Sequence, residues 1–335
     1  MNYSHFIGLD ISKTKIDVAL FDKEKITIEL IFKNNPKELK KALIKLFKSE
    51  NLETNNTIIC AEYTGMYIYS IIQVCQELGI KLWLENPAQI KLCTGVHRGK
   101  SDKIDARRIA LYSYRYQDKA SFYVQKTENI QELEFIIAER ELLIVDKQKY
   151  STQLKDQKGH VNDSFYKNKA NRLNKILKTL NALIKEIETK IDEIIKSDLK
   201  LAHQYKLITS VSGAGKQVAI NTIVATQGFT KFDNPRKFAC HAGVAPFNYS
   251  SGSSIKSKWK VSHRANKKLK KLFHMAALSA IQVPGELRDY YLRKIESGKN
   301  KMTVINAIRA KIIHRIFAVI RNNTPYEKNY INSLV

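Results

Sequence analysis

Apolar and polar positions alternate in short runs through the first ninety residues. Runs rich in Ile, Val, Leu and Phe, separated by polar turns, predict strands at residues 6–11, 16–21, 26–32, 57–62 and 80–84. Apolar residues at helical spacing predict helices from Pro36, over residues 66–78 and from Pro87. The elements therefore follow the order βββαβαβα.

This order of elements is that of the ribonuclease H-like fold, although order alone says nothing certain about function. From residue 130 to about 199 the pattern is helical throughout. Apolar residues alternate spacings of four and three, as in a heptad seam, at Leu173, Leu177, Leu180, Ile184, Ile187, Ile191 and Ile194. Residues 156–159 can break this segment into two helices. An antiparallel hairpin within one chain and an intermolecular coiled coil both fit, and we interpret the segment as scaffold and as the contact of a homo-oligomer, a dimer or tetramer.

The last third of the chain is predicted to be mainly helical, with apolar helices over residues 272–281 and 304–320. Before them, residues 207–216 resemble a helix-hairpin-helix, in which Gly213 and Gly215 would let backbone N–H groups approach a phosphate beside Lys216. A plain helix-turn-helix connection fits as well. The fold class is thus α/β plus α, with expected domains at 1–125 (RuvC-like, ribonuclease H-like), 126–203 (helical hairpin or coiled coil) and 204–325 (C-terminal), and a tail at 326–335.

Charge gives the first indication of a partner. Among 335 residues, 57 Lys and Arg face 32 Asp and Glu, for a formal net charge of +25. So strong a positive field favours polyanions, and nucleic acid is the first candidate. No apolar run reaches the length of a membrane span, the start lacks the pattern of a signal peptide, and the four cysteines form no Cys-x-x-Cys pair. We expect a cytoplasmic protein with reduced thiols and no membrane partner.

Four acids stand where a metal site could form. Asp10 falls within the first predicted strand and Glu62 ends the fourth, while Asp102 and Asp105 share a face of a helix that Ser101 can cap. The first and fourth strands are neighbours in the expected fold, so these carboxylates could converge and bind Mg²⁺ or Mn²⁺. The alternative is that Asp102 and Asp105 only favour a helix N-terminus, and that Asp10 and Glu62 are solvated strand ends.

A serine cluster followed by a basic run lies at residues 242–271. The cations are Lys256, Lys258, Lys260, Arg264, Lys267, Lys268, Lys270 and Lys271. A serine hydroxyl can attack phosphorus while cations hold the phosphate and stabilise the charge that develops there. Loop serines and a solvated lysine face would give the same pattern without chemistry.

Several of these segments together resemble one family. Gly8–Lys13, Ala61–Gly65 and Lys100–Ala106 resemble the Asp-Glu-Asp-Asp domain of the insertion-sequence transposases related to the Piv and MooV DNA invertases. Ala242–Pro246, with Ser251-Gly252, resembles the C-terminal transposase domain of the same family. The resemblance implies a RuvC-like domain, a coiled-coil linker and a C-terminal domain with a nucleophilic serine. It implies that the metal-site and catalytic residues are Asp10, Glu62, Asp102 and Asp105, and that Ser251 becomes joined to a DNA phosphate. It also implies a structured non-coding RNA, the bridge RNA, that chooses donor and target DNA.

The expected function is a DNA transposase or recombinase that cuts and rejoins DNA through a phosphoserine. The alternative is a metal-only nuclease, such as a Holliday-junction resolvase, in which the serine loop only binds phosphate. A third interpretation is a basic DNA- or RNA-binding protein without catalysis. The intact set of four acids argues against it.

Overall fold

The computed structural model describes residues 3–93, 101–247, 250–251, 255–256, 260–262 and 265–327. Contacts divide the chain into two compact units, residues 1–125 and 126–335. The second unit has one large hydrophobic cluster that includes residues from both sides of the boundary expected at 203 and 204, such as Ile194 and Leu207. The separation of a helical segment from a C-terminal domain therefore stays a prediction.

The first unit is built on a five-stranded sheet with the order β3-β2-β1-β4-β5. β1 pairs antiparallel with β2 and parallel with β4; β2 pairs antiparallel with β3, and β4 parallel with β5. The strands are β1 (His5–Ile11), β2 (Lys15–Phe21), β3 (Ile26–Lys33), β4 (Thr57–Glu62) and β5 (Lys81–Glu85). Their order and directions are those of the ribonuclease H-like fold expected from the sequence.

Helices cover both faces of this sheet. They are α1 (Pro36–Ser49), α2 (Tyr69–Glu77), α3 (Pro87–Cys93) and α4 (Asp102–Arg115). One face packs Ile7 and Leu9 of β1 with residues of α1 and α2. The other packs Phe6 of β1 with Ala106 and Ile109 of α4. Since side chains alternate along a strand, Asp10 belongs to the face that carries α4.

One predicted helix starts later than expected. The sequence pattern indicated a helix from Met66, but a short 3₁₀ turn occupies Gly65–Ile68 and α2 follows it. Gly65 has a φ of +68°, a conformation that L side chains rarely adopt. The backbone therefore turns sharply just after β4 before the helix begins.

The second unit opens with two long helices, α5 (Glu128–Gln157) and α6 (Asp163–Ser197). They run antiparallel, because Arg140 pairs with Glu188 near one end, and the Tyr166 hydroxyl donates to the carbonyl of Leu154 near the other, at 3.2 Å. The described residues therefore form an antiparallel hairpin within one chain, which is one of the two arrangements expected for this segment. An intermolecular coiled coil stays a prediction.

The remaining helices form the core of the second unit together with the base of the hairpin. They are α7 (Leu199–Ser210), α8 (Lys216–Thr226), α9 (Pro235–His241), α10 (Lys267–Gln282), α11 (Glu286–Glu296) and α12 (Lys301–Asn322). Short strands β6 (Pro246–Phe247), β7 (Ser250–Ser251), β8 (Ile255–Lys256) and β9 (Lys260–Val261) lie between α9 and α10. Among the described residues, no helix is both long and apolar enough to cross a membrane.

Candidate active site

A glycine in β1 determines where α4 lies. A Cβ at Gly8 would lie 2.2 Å from the carbonyl oxygen of Ala106 and 2.3 Å from the nitrogen of Ala110. Such distances are possible only without a side chain, so α4 packs with its backbone directly on β1. The Ser101 hydroxyl accepts the N–H of Ile104 and caps the helix. The first turn of α4, which carries Asp102 and Asp105, is thereby fixed beside the strand that carries Asp10.

The four predicted acids lie close enough to interact. The pKa of Asp10 is raised to about 6, first by burial and then by the negative charges of Asp102, Asp105, Glu62 and Asp17. A nearby like charge disfavours the ionised form of a carboxyl group, and the effect needs short separations. The charges of Glu62, Asp102 and Asp105 therefore act on Asp10, and their convergence on one metal ion stays a prediction.

The fifth acid in this group, Asp17, was missed by the sequence analysis. It lies in β2, is 2% exposed, and is directly opposite Asp10 in the antiparallel pair. Opposed residues of such a pair point to the same face of the sheet. The available signal was an aspartate inside the apolar run Ile16–Phe21, because a charge in a buried strand needs a partner there.

A second missed acid stands next to Glu62. Glu62 and Glu85 are register partners at the ends of the parallel strands β4 and β5. The Tyr112 hydroxyl of α4 donates to Glu85 Oε2 at 3.0 Å, which fixes that carboxylate on the face that α4 covers. Both strands thus end on a carboxylate at the same edge of the sheet.

Two cations bind the acids of the first turn of α4. Lys15 Nζ lies 2.8 Å from Asp102 Oδ2 and 3.0 Å from Asp17 Oδ2, while Arg108 pairs with Asp105 at 2.8 Å. Hydrogen bonds to Asp102 and then Asp17 raise the pKa of Lys15 above its ordinary range. No three His, Cys, Asp or Glu side chains in the described part of the chain converge as ready metal ligands. The donors here are carboxylate oxygens, the type that Mg²⁺ and Mn²⁺ prefer, so the residues fit such an ion chemically.

The predicted nucleophile, Ser251, lies among the four short strands β6 to β9, which are here called the β-arm. Ser251 in β7 is opposite Ile255 in β8, and Pro246 and Phe247 of β6 pair with Val261 and Lys260 of β9. Among the described residues these two ladders are separate two-stranded sheets, and Ser251 lies in the second of them. Lysines at every second position, 256, 258 and 260, have the spacing of one face of a strand. In the sequence analysis these residues were interpreted only as part of a basic run.

The base of this arm is attached to the helical core. Gly243 has a φ of +67°, and a Cβ there would lie 2.7 Å from the Cβ of Ala265. The Asn306 side chain of α12 donates to the carbonyl of Val244 at 2.9 Å. The N–H of Asn266 donates to the carbonyl of His241 at 2.8 Å. The two ends of the arm are therefore held together by α9, α10 and α12.

The predicted basic residues are divided between two elements. Lys256 and Lys260 belong to the strands of the arm, whereas Lys267, Lys268, Lys270 and Lys271 all lie at the start of α10. Lys258 and Arg264 lie outside the described residues. Lysines at a helix N-terminus oppose the helix dipole, so their accumulation there is unfavourable without an anion. Lys268 pairs with Glu141 at 3.0 Å, which partly compensates its charge.

The glycines of the predicted helix-hairpin-helix have distinct surroundings. A Cβ at Gly213 would lie 2.5 Å from the carbonyl oxygen of Ala276, so this glycine permits close packing against α10. Gly215 caps α8 and is exposed, with no atom within 4 Å of such a Cβ, and Lys216 pairs with Asp192 at 2.6 Å. A contact of these residues with nucleic acid stays a prediction.

Comparison with known proteins connects both units to one family. A model of the Asp-Glu-Asp-Asp transposase domain of IS110 elements matches residues 7–161, and a model described as transposase IS116/IS110/IS902 family matches residues 205–292. The pilin gene-inverting proteins of Moraxella bovis and Moraxella lacunata are each 24% identical over 96% of this chain and 98% of their own length. An uncharacterized 44.8 kDa protein of insertion element IS116 from Streptomyces clavuligerus is 26% identical over 44% of this chain and 35% of its own.

Among solved structures, T. thermophilus RuvC in complex with a Holliday junction substrate matches 36% of this chain and 100% of its own, with a TM-score of 0.29 and 14% identity. The two family models match in the order that the sequence resemblance predicted, and that resemblance is confirmed. The chain is a DNA transposase/recombinase of the IS110/IS116/IS902 family.

Proposed function

We propose that this transposase cuts and rejoins DNA through a covalent bond between Ser251 and a DNA phosphate, assisted by a divalent-metal site at Asp10, Glu62, Asp102 and Asp105. The observation that carries the proposal is the cluster of acids around Asp10: burial first, and then the charges of these acids, raise the pKa of that carboxyl group to about 6. Mutual repulsion of this kind is relieved when a cation binds, so the cluster favours metal binding over a purely structural role.

The metal would be Mg²⁺ or Mn²⁺, since all the donors are oxygens. When bound, such an ion would stabilise the negative charge that develops on the phosphate. Asp10 has the central place among the donors, because the charges of the other three act on it. Arg108, paired with Asp105 at 2.8 Å, would hold that carboxylate in place.

In the proposed reaction, the Ser251 oxygen attacks phosphorus and the bond from phosphorus to one deoxyribose oxygen breaks. The serine gives up its proton, and the departing sugar oxygen takes one up as a hydroxyl. Rejoining is the reverse: a sugar hydroxyl of another strand attacks the phosphoserine and releases Ser251. The energy of the phosphodiester bond is retained throughout, so no external energy source is needed. A neutral hydroxyl is a weak nucleophile, so the serine needs help in losing its proton, and the acids are proposed to provide it.

A metal-only nuclease is the second candidate. It is favoured by the fact that the acids lie in a unit with hydrophobic clusters of its own, residues 1–125. Hydrolysis by water at such a site would need no serine. In that case the β-arm and its lysines would only hold the phosphate backbone.

The proposed partners are donor and target DNA, a bridge RNA and further copies of the same chain. The net charge of +25 and the lysines at the start of α10 support a nucleic-acid partner. Exposed apolar side chains at Phe135, Leu142 and Val145 on α5 support a contact with another protein surface. We propose that this surface joins two copies of the chain.

Strand cleavage under controlled divalent-ion conditions tests the acid site. End-labelled DNA carrying the ends of the element, with its guide RNA, is incubated with the wild type, Asp10→Ala and Glu62→Ala, with Mg²⁺ or with excess chelator. We expect cleavage only by the wild type with the ion, and retained DNA binding by both variants. Full cleavage in chelator, or by Asp10→Ala, would contradict the metal site.

A further inference from the structure

We propose that Lys15, anchored by the buried carboxylate of Asp17, is a built-in counter-cation of the acid cluster that a divalent ion must displace from Asp102. The inference rests on the proposed metal site and adds a residue that controls the loading of that site. It makes Lys15 a positioning residue and gives Asp17 the role of its anchor.

Asp17 is the first element of this arrangement. Its side chain is 3% exposed, although it is a carboxylate inside a strand. A buried carboxylate is costly unless a cation pairs with it, and Lys15 is the cation 3.0 Å away. Because Asp17 is directly opposite Asp10, the lysine that it holds lies on the face of the sheet that carries the acid cluster.

The turn before β2 fixes the backbone of Lys15. The Ser12 hydroxyl donates to the carbonyl of Lys15 at 2.7 Å, and the N–H of Lys15 donates to the hydroxyl oxygen of Ser12 at 3.3 Å. The Asn34 side chain donates to the carbonyl of Ser12 at 2.8 Å, which ties the turn to the end of β3. The lysine thus starts from a defined position, and its side chain is directed by Asp17 rather than by solvent.

The ion pair of Lys15 with Asp102 is the contact that a bound metal ion would affect. The Lys15 ammonium lies 2.8 Å from Asp102 Oδ2, and Asp102 is one of the four proposed ligands. An ammonium and a divalent cation on the same carboxylate would repel each other strongly at such distances. Loading of the site must therefore break the Lys15–Asp102 bond. Asp17 can keep Lys15 nearby after that bond has broken.

Binding of Mn²⁺ to the full-length protein without nucleic acid tests this role, with isothermal titration calorimetry as the readout. Lys15→Met removes the competing charge, and we expect its dissociation constant for Mn²⁺ to fall about tenfold. Lys15→Arg retains the charge and is expected to bind Mn²⁺ like the wild type. Lys13→Met removes an equal charge from an exposed position in the same turn and is the matched control, with less than a twofold effect.

The outcomes separate this inference from the proposed function. Asp10→Asn is introduced into the wild type and into Lys15→Met, and Mn²⁺ binding is measured again. If this substitution changes the affinity in neither protein, the metal site itself is overturned, and this inference with it. Binding that depends on Asp10 but is equal or weaker in Lys15→Met would overturn the role of Lys15 alone. Where Lys15→Met does not fold, Lys15→Gln keeps hydrogen-bonding capacity toward both carboxylates without the charge and carries the same expectation.

Discussion

Asp10 and Asp17 are directly opposite each other in the antiparallel pair of β1 and β2, and Asp17 is almost completely buried. Two carboxylates on one face of a sheet at this spacing repel each other. Asp17 has Lys15 as its cation, whereas Asp10 is surrounded by the charges of further acids and has a raised pKa. We expect this arrangement to lower the stability of the metal-free fold and to favour the binding of a cation.

Replacing Asp10 should therefore stabilise the metal-free protein at neutral pH. The folded-state pKa of about 6 lies above the ordinary 3.8, so the folded state binds more protons than the unfolded state between these values. Stability then falls as pH rises from about 4 to about 6. Asp10→Asn removes this loss, and we expect a gain of about 1 kcal/mol at pH 7.5, reduced from the full shift because the group is partly exposed.

Calorimetric melting in chelator at pH 7.5 and pH 4.5 measures this effect. A gain of that size corresponds to a rise of about 2–4 °C in the melting temperature at pH 7.5. The gain should shrink at pH 4.5, where Asp10 of the wild type is mostly protonated. Asp118→Asn, at an exposed position of the same unit, is the control and should change neither value. A destabilised Asp10→Asn at pH 7.5 would contradict the raised pKa of Asp10 and the unfavourable burial and repulsion that cause it.

Gly8→Ala should damage the acid site without touching an acid. The new methyl group would meet backbone atoms of Ala106 and Ala110, which cannot rotate away, so α4 must move off the sheet. We expect a loss of about 1–3 kcal/mol in stability and weaker Mn²⁺ binding, because Asp102 and Asp105 move with the helix. Unfolding and Mn²⁺ titration together measure this. Unchanged Mn²⁺ affinity in a destabilised variant would show that α4 does not position the ligands.

The lysines at the start of α10 should contribute to the salt dependence of nucleic-acid binding. Each phosphate contact that is lost reduces the slope of log affinity against log salt concentration by about 0.9 for duplex DNA. The triple substitution Lys267→Gln, Lys270→Gln and Lys271→Gln is expected to flatten the slope by up to about three times that amount. Lys268→Gln serves as the internal control, because Lys268 already pairs with Glu141. An unchanged slope in the triple variant would mean that these lysines form only a solvated face.

The exposed apolar side chains of α5 should join copies of the chain. Phe135, Leu142 and Val145 are 75%, 63% and 56% exposed and, with Ala138 between them, follow the spacing of three and four that coiled coils use. The double variant Phe135→Ser and Leu142→Ser is expected to sediment as a smaller species than the wild type, with an unchanged melting temperature of the monomer. Leu199→Ser, at an exposed position outside this stripe, is the control. An unchanged oligomeric state would exclude this surface.

The strands and the acids within them could be predicted from the sequence, because the alternation of side chains is a local pattern. The parallel pairing of β1 with β4 was expected only because the order of elements is that of the ribonuclease H-like fold. The place of Asp17 beside Asp10 could not be predicted in this way, since it depends on which residue of β1 lies opposite Asp17. The β-arm was missed for another reason. Its strands are two residues long, and its lysines alternate with polar and aromatic residues that give no apolar face. The packing role of Gly213 also depends on α10, more than fifty positions later in the chain.

Whether acids and serine of different chains act together can be tested by mixing. Asp10→Ala and Ser251→Ala chains, each expected to be inactive alone, are combined at equal concentration and allowed to exchange subunits. Recovery of cleavage to a fraction of the wild-type rate is expected if each chain supplies what the other lacks. Unmixed variants at the same total concentration are the control, and no recovery would mean that both groups must belong to one chain.

The covalent intermediate itself is the most direct measurement. Wild-type protein, Ser251→Ala and Ser250→Ala are incubated with end-labelled DNA and the divalent ion, separated on a denaturing gel, and the adduct is digested and mapped by mass spectrometry. We predict a labelled protein–DNA species in the wild type and in Ser250→Ala, with the phosphate on Ser251, and neither adduct nor cleavage in Ser251→Ala. Cleavage by Ser251→Ala at the wild-type rate, with no adduct in any of the three proteins, would contradict the phosphoserine mechanism and leave the metal-only nuclease.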